Sequence, residues 1–157
     1  MRLPLYGIIA ISSLLNGCGN ESSTLPPFEV VTDVHHSMEL IVYPAADLLW
    51  ESAGFVIDAE GEHDLSPTTD EGWHEVEINA AVLAESGNLL MLPGRSAGPQ
   101  WDAWSAALIQ TSRKAMLAAE AQDASALFDA GGEIYQVCKG CHEQYWVKTE
   151  DSDEPDR

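Results

Sequence analysis

Apolar side chains recur at three- and four-residue spacing along most of this chain, and polar breaks divide it into four helical segments. From about 33 to 53, Met38, Ile41, Val42, Ala45, Leu48 and Leu49 share one face, the periodicity of an amphipathic helix. Asp33 is its candidate N-cap, and Gly54 ends it. Pro44 lies inside the run, where it removes a hydrogen bond and crowds the preceding turn. A kink, or two helical pieces meeting there, is expected. Residues 54–68 (GFVIDAEGEHDLSPT) read as a long connection, without support for two regular strands, and with Phe55-Val56-Ile57 tucked into the core.

The second helix is expected over about 69–91, opened by a capping box of Thr68 with Glu71 and stopped by Pro93-Gly94. Its broad apolar face holds Trp73, Val76, Ala80, Leu83 and Leu90. The third runs from about 99 to 121. Pro99 suits the first helical position after Gly98, and Trp101, Trp104, Leu108, Ala115 and Leu117-Ala118 lie mainly to one side. The fourth runs from about 124 to 146 behind an Asp123 N-cap. Leu127, Ile134, Cys138, Cys141, His142 and Tyr145 form its stripe, and Gly131-Gly132 marks a close approach by a neighbour. Four such segments joined by short or moderate links predict an all-α, antiparallel four-helix bundle. Trp50, Trp73, Trp101 and Trp104 are most simply core.

The N-terminus departs from this pattern. Arg2 precedes an apolar run from Leu3 to Leu15, too short to span a bilayer comfortably but suited to a secretory leader. Leu15-Asn16-Gly17-Cys18 then resembles a bacterial lipoprotein box, with cleavage before Cys18 and acylation of its thiol. This divides the chain into a leader (1–17), a polar, Pro-Pro-containing tether (18–32), a helical domain (33–147) and a disordered acidic tail (148–157). Removing 17 residues from 157 leaves 140, enough for a core that folds without disulfides. The net charge is −19, and loss of Arg2 makes it −20. Nucleic acid and anionic lipid are disfavoured as partners, whereas a protein with a basic docking face suits this charge.

The strongest chemical signal is Cys138-Lys139-Gly140-Cys141-His142. C-x-x-C-H is the attachment motif of c-type haem. Two thiols must reach two vinyl groups on one porphyrin edge, and the next residue must present an imidazole to the iron. At 100° per residue, positions 138, 141 and 142 fall at about 0°, 300° and 40° around a helix, on one narrow face. Rival readings are weaker. A redox dithiol asks for a strand–helix junction, a zinc site asks for a fourth ligand, and a plain disulfide leaves His142 unexplained.

A four-helix chain with this motif near the end of its last helix resembles the class II c-type cytochromes, the cytochrome c′ group. Their pattern C-x-x-C-H-x-x-Y/F-R/K reads here Cys138-Lys-Gly-Cys141-His142-Glu-Gln-Tyr145-Trp146. The likeness covers about residues 33–147 and is specific only at the motif. It implies one covalent haem c lodged between helices, His142 as proximal iron ligand, and a distal side facing the first helix. Trp146 stands where the group has a basic residue, so the group's electronic and pH behaviour does not carry over.

Met38, on the apolar face of the first helix, stands where low-spin members carry a methionine ligand, and is the candidate distal ligand. A space-filling core methionine is the plain alternative, an empty distal position is a second, and His35, three residues earlier, is a competing ligand. Met/His ligation suits electron transfer. An open site suits binding of carbon monoxide or nitric oxide, and a haem peroxidase would need a polar distal group for which His35 is the visible candidate. His63 and His74 read as solvated, and no catalytic constellation stands out. The expectation is therefore a non-enzymatic, single-electron carrier in the periplasm of a Gram-negative bacterium, held to the membrane by lipid on Cys18. Members of the resembled group often form homodimers through their first two helices.

Overall fold

The structure, a computed structural model, describes residues 28–146. Cys18, the leader, residues 18–27 of the tether and the acidic tail lie outside the described residues. The described residues are 70% helix with little strand, an all-α fold. Its elements are α1 (Val34–Ser37), a π-helical segment (Met38–Val42), α2 (Tyr43–Glu51), β1 (Phe55–Ile57), β2 (Glu62–Asp64), α3 (Asp70–Leu90), α4 (Pro99–Glu120) and α5 (Ala124–Tyr145).

α1, the π segment and α2 run on as one first helix. Asp33 caps it, accepting from the His36 amide at 2.8 Å. Two helical pieces, the π segment and α2, meet just before Pro44 without a gap between them. Pro44 cannot donate to the Leu40 carbonyl, and its ring would crowd that oxygen. The turn before it widens instead: the Tyr43 amide reaches back five residues to the Met38 carbonyl. Such a π turn makes room without ending the helix.

The connection after α2 differs from expectation. Phe55–Ile57 pairs antiparallel with Glu62–Asp64, Val56 facing His63. All six residues are exposed, so Phe55-Val56-Ile57 does not enter the core. The turn is held by the Asp58 carboxylate, which accepts from the amides of Glu60 (2.9 Å) and Gly61 (3.1 Å) and lies 2.9 Å from His63 Nε2. Gly61 takes φ +131°, a backbone conformation suited to glycine.

α3 starts one residue later than the anticipated box. Thr69, not Thr68, is the N-cap, and its hydroxyl accepts from the Gly72 amide at 3.1 Å. Pro99 opens α4 behind Gly98, and Asp123 caps α5 through the Ala126 amide at 3.0 Å.

Neighbouring helices run antiparallel. Trp101 Nε1 donates to the Leu90 carbonyl at one end of the α3–α4 pair, and Gln122 reaches Asp70 at the other. Gly87 is a close approach between these two: a Cβ there would lie 2.6 Å from the Ser105 carbonyl. α4 and α5 are joined by Lys114–Glu133 and by Trp104–Gln144. α2 meets α5, while the π segment packs chiefly on α3. Leu49, Val76, Ala80, Leu83, Ala115, Leu127 and Ile134 form the centre of the core. Leu117, expected on the inner face of α4, is exposed; its neighbour Ala118 takes the buried position. The start of the first helix is tied down by buried Arg95, which donates to the Thr32 carbonyl (2.8 Å) and the Leu89 carbonyl (3.1 Å). Thr32, the last tether residue, is thus part of the packed structure. No helix among the described residues is long and apolar enough to cross a membrane.

Candidate functional site

Cys138, Cys141 and His142 occupy the last two turns of α5, whose end is closed by the Trp146 amide donating to the His142 carbonyl at 2.9 Å. All three are half-buried, and both thiols are free. Burial pushes the Cys138 thiol up to about 11, helped by the negative charge that Cys141 would carry. Burial raises Cys141 as well and lowers His142, because a desolvated imidazole resists protonation. At neutral pH the site therefore holds two protonated thiols and a neutral imidazole. The His142 ring meets Trp146 edge-to-face, centroids 4.8 Å apart and planes at 89°.

The back of the motif is locked to α4. Gly140 lies about 200° around the helix from Cys138, and there the Trp104 indole presses on the backbone. A Cβ on Gly140 would sit 2.5 Å from Trp104 Cη2. Trp104 Nε1 donates to Gln144 Oε1 at 3.1 Å, and Trp101 packs edge-to-face on Tyr145 at 5.0 Å. With α4 on that side, the two thiols and the imidazole are presented on the other.

That other face is a stripe of α5 formed by Gly131, Tyr135, Cys138 and His142. Its early end is covered by helix α2. Trp50 Nε1 donates to the Gly131 carbonyl at 3.0 Å, and its ring meets Tyr135 edge-to-face at 6.3 Å. Gly131 is the close approach anticipated from the Gly-Gly pair, since a Cβ there would lie 3.4 Å from Trp50 Cδ1; Gly132 has nothing within 4 Å. Met38 is twelve residues before Trp50, and His142 eleven after Gly131. At 1.5 Å per residue those are rises of about 18 Å and about 17 Å. Straight antiparallel helices pinned at Trp50–Gly131 would bring Met38 and His142 to about the same height, although the π segment that carries Met38 packs chiefly on α3. Met38 is half-buried and packs on the core.

His35 does not join them. Its side chain is 77% exposed and faces Glu39 at 3.7 Å. The inward stripe of this helix runs through Val34, Ser37, Met38 and Val42, and His35 falls about 90° from its centre. His36 lies beside the Asp33 cap, His63 beside Asp58 and His74 beside Glu77, all exposed. Among the described residues no three His, Cys, Asp or Glu side chains converge on one metal position. The role of Trp104 against Gly140 was not legible beforehand; a glycine inside the motif and a tryptophan on an alanine-rich helix were its only traces.

No protein-family model matches this chain, and no curated protein or solved structure matches it.

Proposed function

We propose that the chain is an exported c-type cytochrome that carries single electrons, built as an antiparallel four-helix bundle and held to a membrane by lipid on Cys18. One haem c would be held by thioethers from Cys138 and Cys141, with His142 as proximal ligand. The observation that carries this reading is the placement of the motif: two free, half-buried thiols and an imidazole on one face of one helical turn and a half at the end of α5. These residues fit the group. Thioether formation needs both cysteines reduced, and their raised thiol pKa keeps the thiolate scarce, which slows oxidation to a disulfide after export. Iron ligation needs the imidazole unprotonated, and burial of His142 favours that form.

When bound, the haem supplies reversible Fe(III)/Fe(II) exchange. The chain supplies the rest. Trp104 and Trp101 pack on the rear of α5 and hold the turn that carries the three side chains against α4. Met38, half-buried on the inward face of the first helix, is the proposed second iron ligand; its thioether would raise the potential and close the metal to outside ligands. The net charge of −19 and the absence of Lys and Arg from residues 3 to 94 suit a redox partner with a basic face.

The test is the visible spectrum of protein made with a cytochrome-maturation system. The parent should be low-spin and unchanged by carbon monoxide after reduction, and Met38→Ala should lose the low-spin spectrum and bind the gas. Identical spectra for both remove Met38 as ligand. Rapid carbon monoxide uptake by the parent assigns the protein to gas binding instead.

A further inference from the structure

Two adjoining hollows, of about 330 Å³ and 230 Å³, share Phe128 as a common wall. Together they make a groove between the end of α2, the β1–β2 hairpin and the first half of α5. Trp50, Phe55, Phe128 and Tyr135 line it, with Glu62 and Asp64 at its edge. Phe55 is 60% exposed, Phe128 58% and Tyr135 53%. Singly exposed apolar residues are ordinary, but a contiguous aromatic groove with a polar rim marks a contact surface. The stretches that line it, 50–66 and 124–136, contain no Lys or Arg; the nearest in sequence is Lys139 of α5, whose side chain lies 3.7 Å from Glu143. Two carboxylates, Glu62 and Asp64, line it instead, and Glu51, Glu60 and Asp129 lie in the same stretches of chain. The groove also ends where the candidate haem site begins. Tyr135 is three residues, about 5 Å of helix rise, before Cys138, and its ring touches Trp50.

We infer that this groove is the docking surface for a partner protein whose contact face is an apolar spot ringed by lysine or arginine. The inference deepens the haem reading and rests on it for the partner's being an electron-exchange protein. Charge decides among occupants. A second copy would bring carboxylates against carboxylates, and an anionic lipid surface would do the same. A lysine-ringed protein gains on both counts, because its cations meet the rim while its apolar spot covers Phe55 and Phe128.

The experiment titrates the full chain, haem content recorded, with a lysine-rich mitochondrial cytochrome c by calorimetry at low ionic strength. Glu62→Lys should weaken binding about 5-fold, while Glu85→Lys, the same charge change at an exposed site far along α3, should weaken it less than about 2-fold. Phe55→Ser should also weaken binding about 5-fold, with little change in its salt dependence. Both groove positions are exposed, and circular dichroism confirms that each variant folds. Equal weakening by Glu62→Lys and Glu85→Lys overturns the inference, as does unchanged binding by Phe55→Ser. Attachment to neutral phosphatidylcholine vesicles, or a dimer, that Phe55→Ser abolishes overturns it in favour of lipid or a second copy. Calorimetry reads docking and not electron exchange, so a chain without haem that still binds through Phe55 and Glu62 ends the haem reading and leaves the docking surface standing.

Discussion

Replacing Gly140 by alanine puts two opposing effects of known size on the same atom. A Cβ there would lie 2.5, 3.0 and 3.1 Å from three carbons of the Trp104 ring, where carbon contacts settle near 3.5–4.0 Å. About 1 Å of overlap must be relieved by moving an indole that is half-buried and held by its bond to Gln144. Overpacking of this kind costs about 1–3 kcal/mol. Against it, alanine for glycine inside a helix gains about 1 kcal/mol. The net expectation in the parent is a loss of about 0–2 kcal/mol. In a Trp104→Ala background the obstruction is gone, and the same change should stabilise by about 1 kcal/mol. The coupling between the two positions is thus about 1–3 kcal/mol, as expected for residues in contact. Urea unfolding of the four proteins, followed by far-UV circular dichroism in one haem state and with equal slopes, measures it. If Gly140→Ala shifts stability by the same amount in both backgrounds, within about 0.5 kcal/mol, the indole does not press on this turn and the locked rear of the site is refuted.

Burial lowers the His142 pKa, so the unfolded chain takes up this proton first as pH falls. The stability tied to the neutral ring is full above about pH 6.5 and is lost as pH falls through the lowered folded value. In haem-free chain, His142→Gln should therefore flatten the decline in denaturation midpoint between pH 7 and 5; identical slopes would contradict the burial of the ring. With its thiol raised from 9.0 to about 11, Cys138 of the folded haem-free chain carries about 100-fold less thiolate at pH 8 and, its thiolate being more nucleophilic, should be alkylated by iodoacetamide about 10-fold more slowly than an ordinary thiol. Unfolding in urea should restore the ordinary rate, and equal rates in both states would refute the desolvated thiol. Arg95→Met removes the donors to Thr32 and Leu89 and should cost about 1–3 kcal/mol. It should also speed hydrogen exchange at the α1 amides before any change in α4, and uniform exchange would show that Thr32 is not what anchors this end.

The helices were largely legible because their ends carry local chemistry. Asp33, Pro99 after Gly98, and Asp123 each act through neighbours within four residues, which a linear reading captures. The motif was legible for the same reason, since three residues on one turn define their own face. What escaped depends on contacts distant in sequence or on marginal local choices. Phe55–Ile57 and Glu62–Asp64 form strands of three residues with no alternation of burial, so no period-2 pattern existed to read. Their pairing comes from the Asp58 side chain in the turn. Thr68 and Thr69 are equally good caps by type, and only the backbone conformation of Thr69 selects it. The junction at Pro44 was expected, but its form, a widened turn that passes the chain on without a gap, depends on the Tyr43 amide reaching Met38 and has no sequence sign. His35 lies outward because its turn is fixed by Ser37 and Val34 facing in, a distinction finer than a shared apolar face. Trp104 meets Gly140 across two helices, with no local sign of the pairing.

The central claim is covalent attachment at Cys138 and Cys141. The direct measurement is the intact mass, under denaturing conditions, of the protein expressed with a cytochrome-maturation system, alongside a Cys138→Ser/Cys141→Ser variant. The account predicts that the parent keeps the mass of one haem after unfolding, that peptide mapping puts it between residues 138 and 142, and that the variant carries none. A parent whose mass equals that of the polypeptide with any lipid on Cys18, and nothing more, would contradict it.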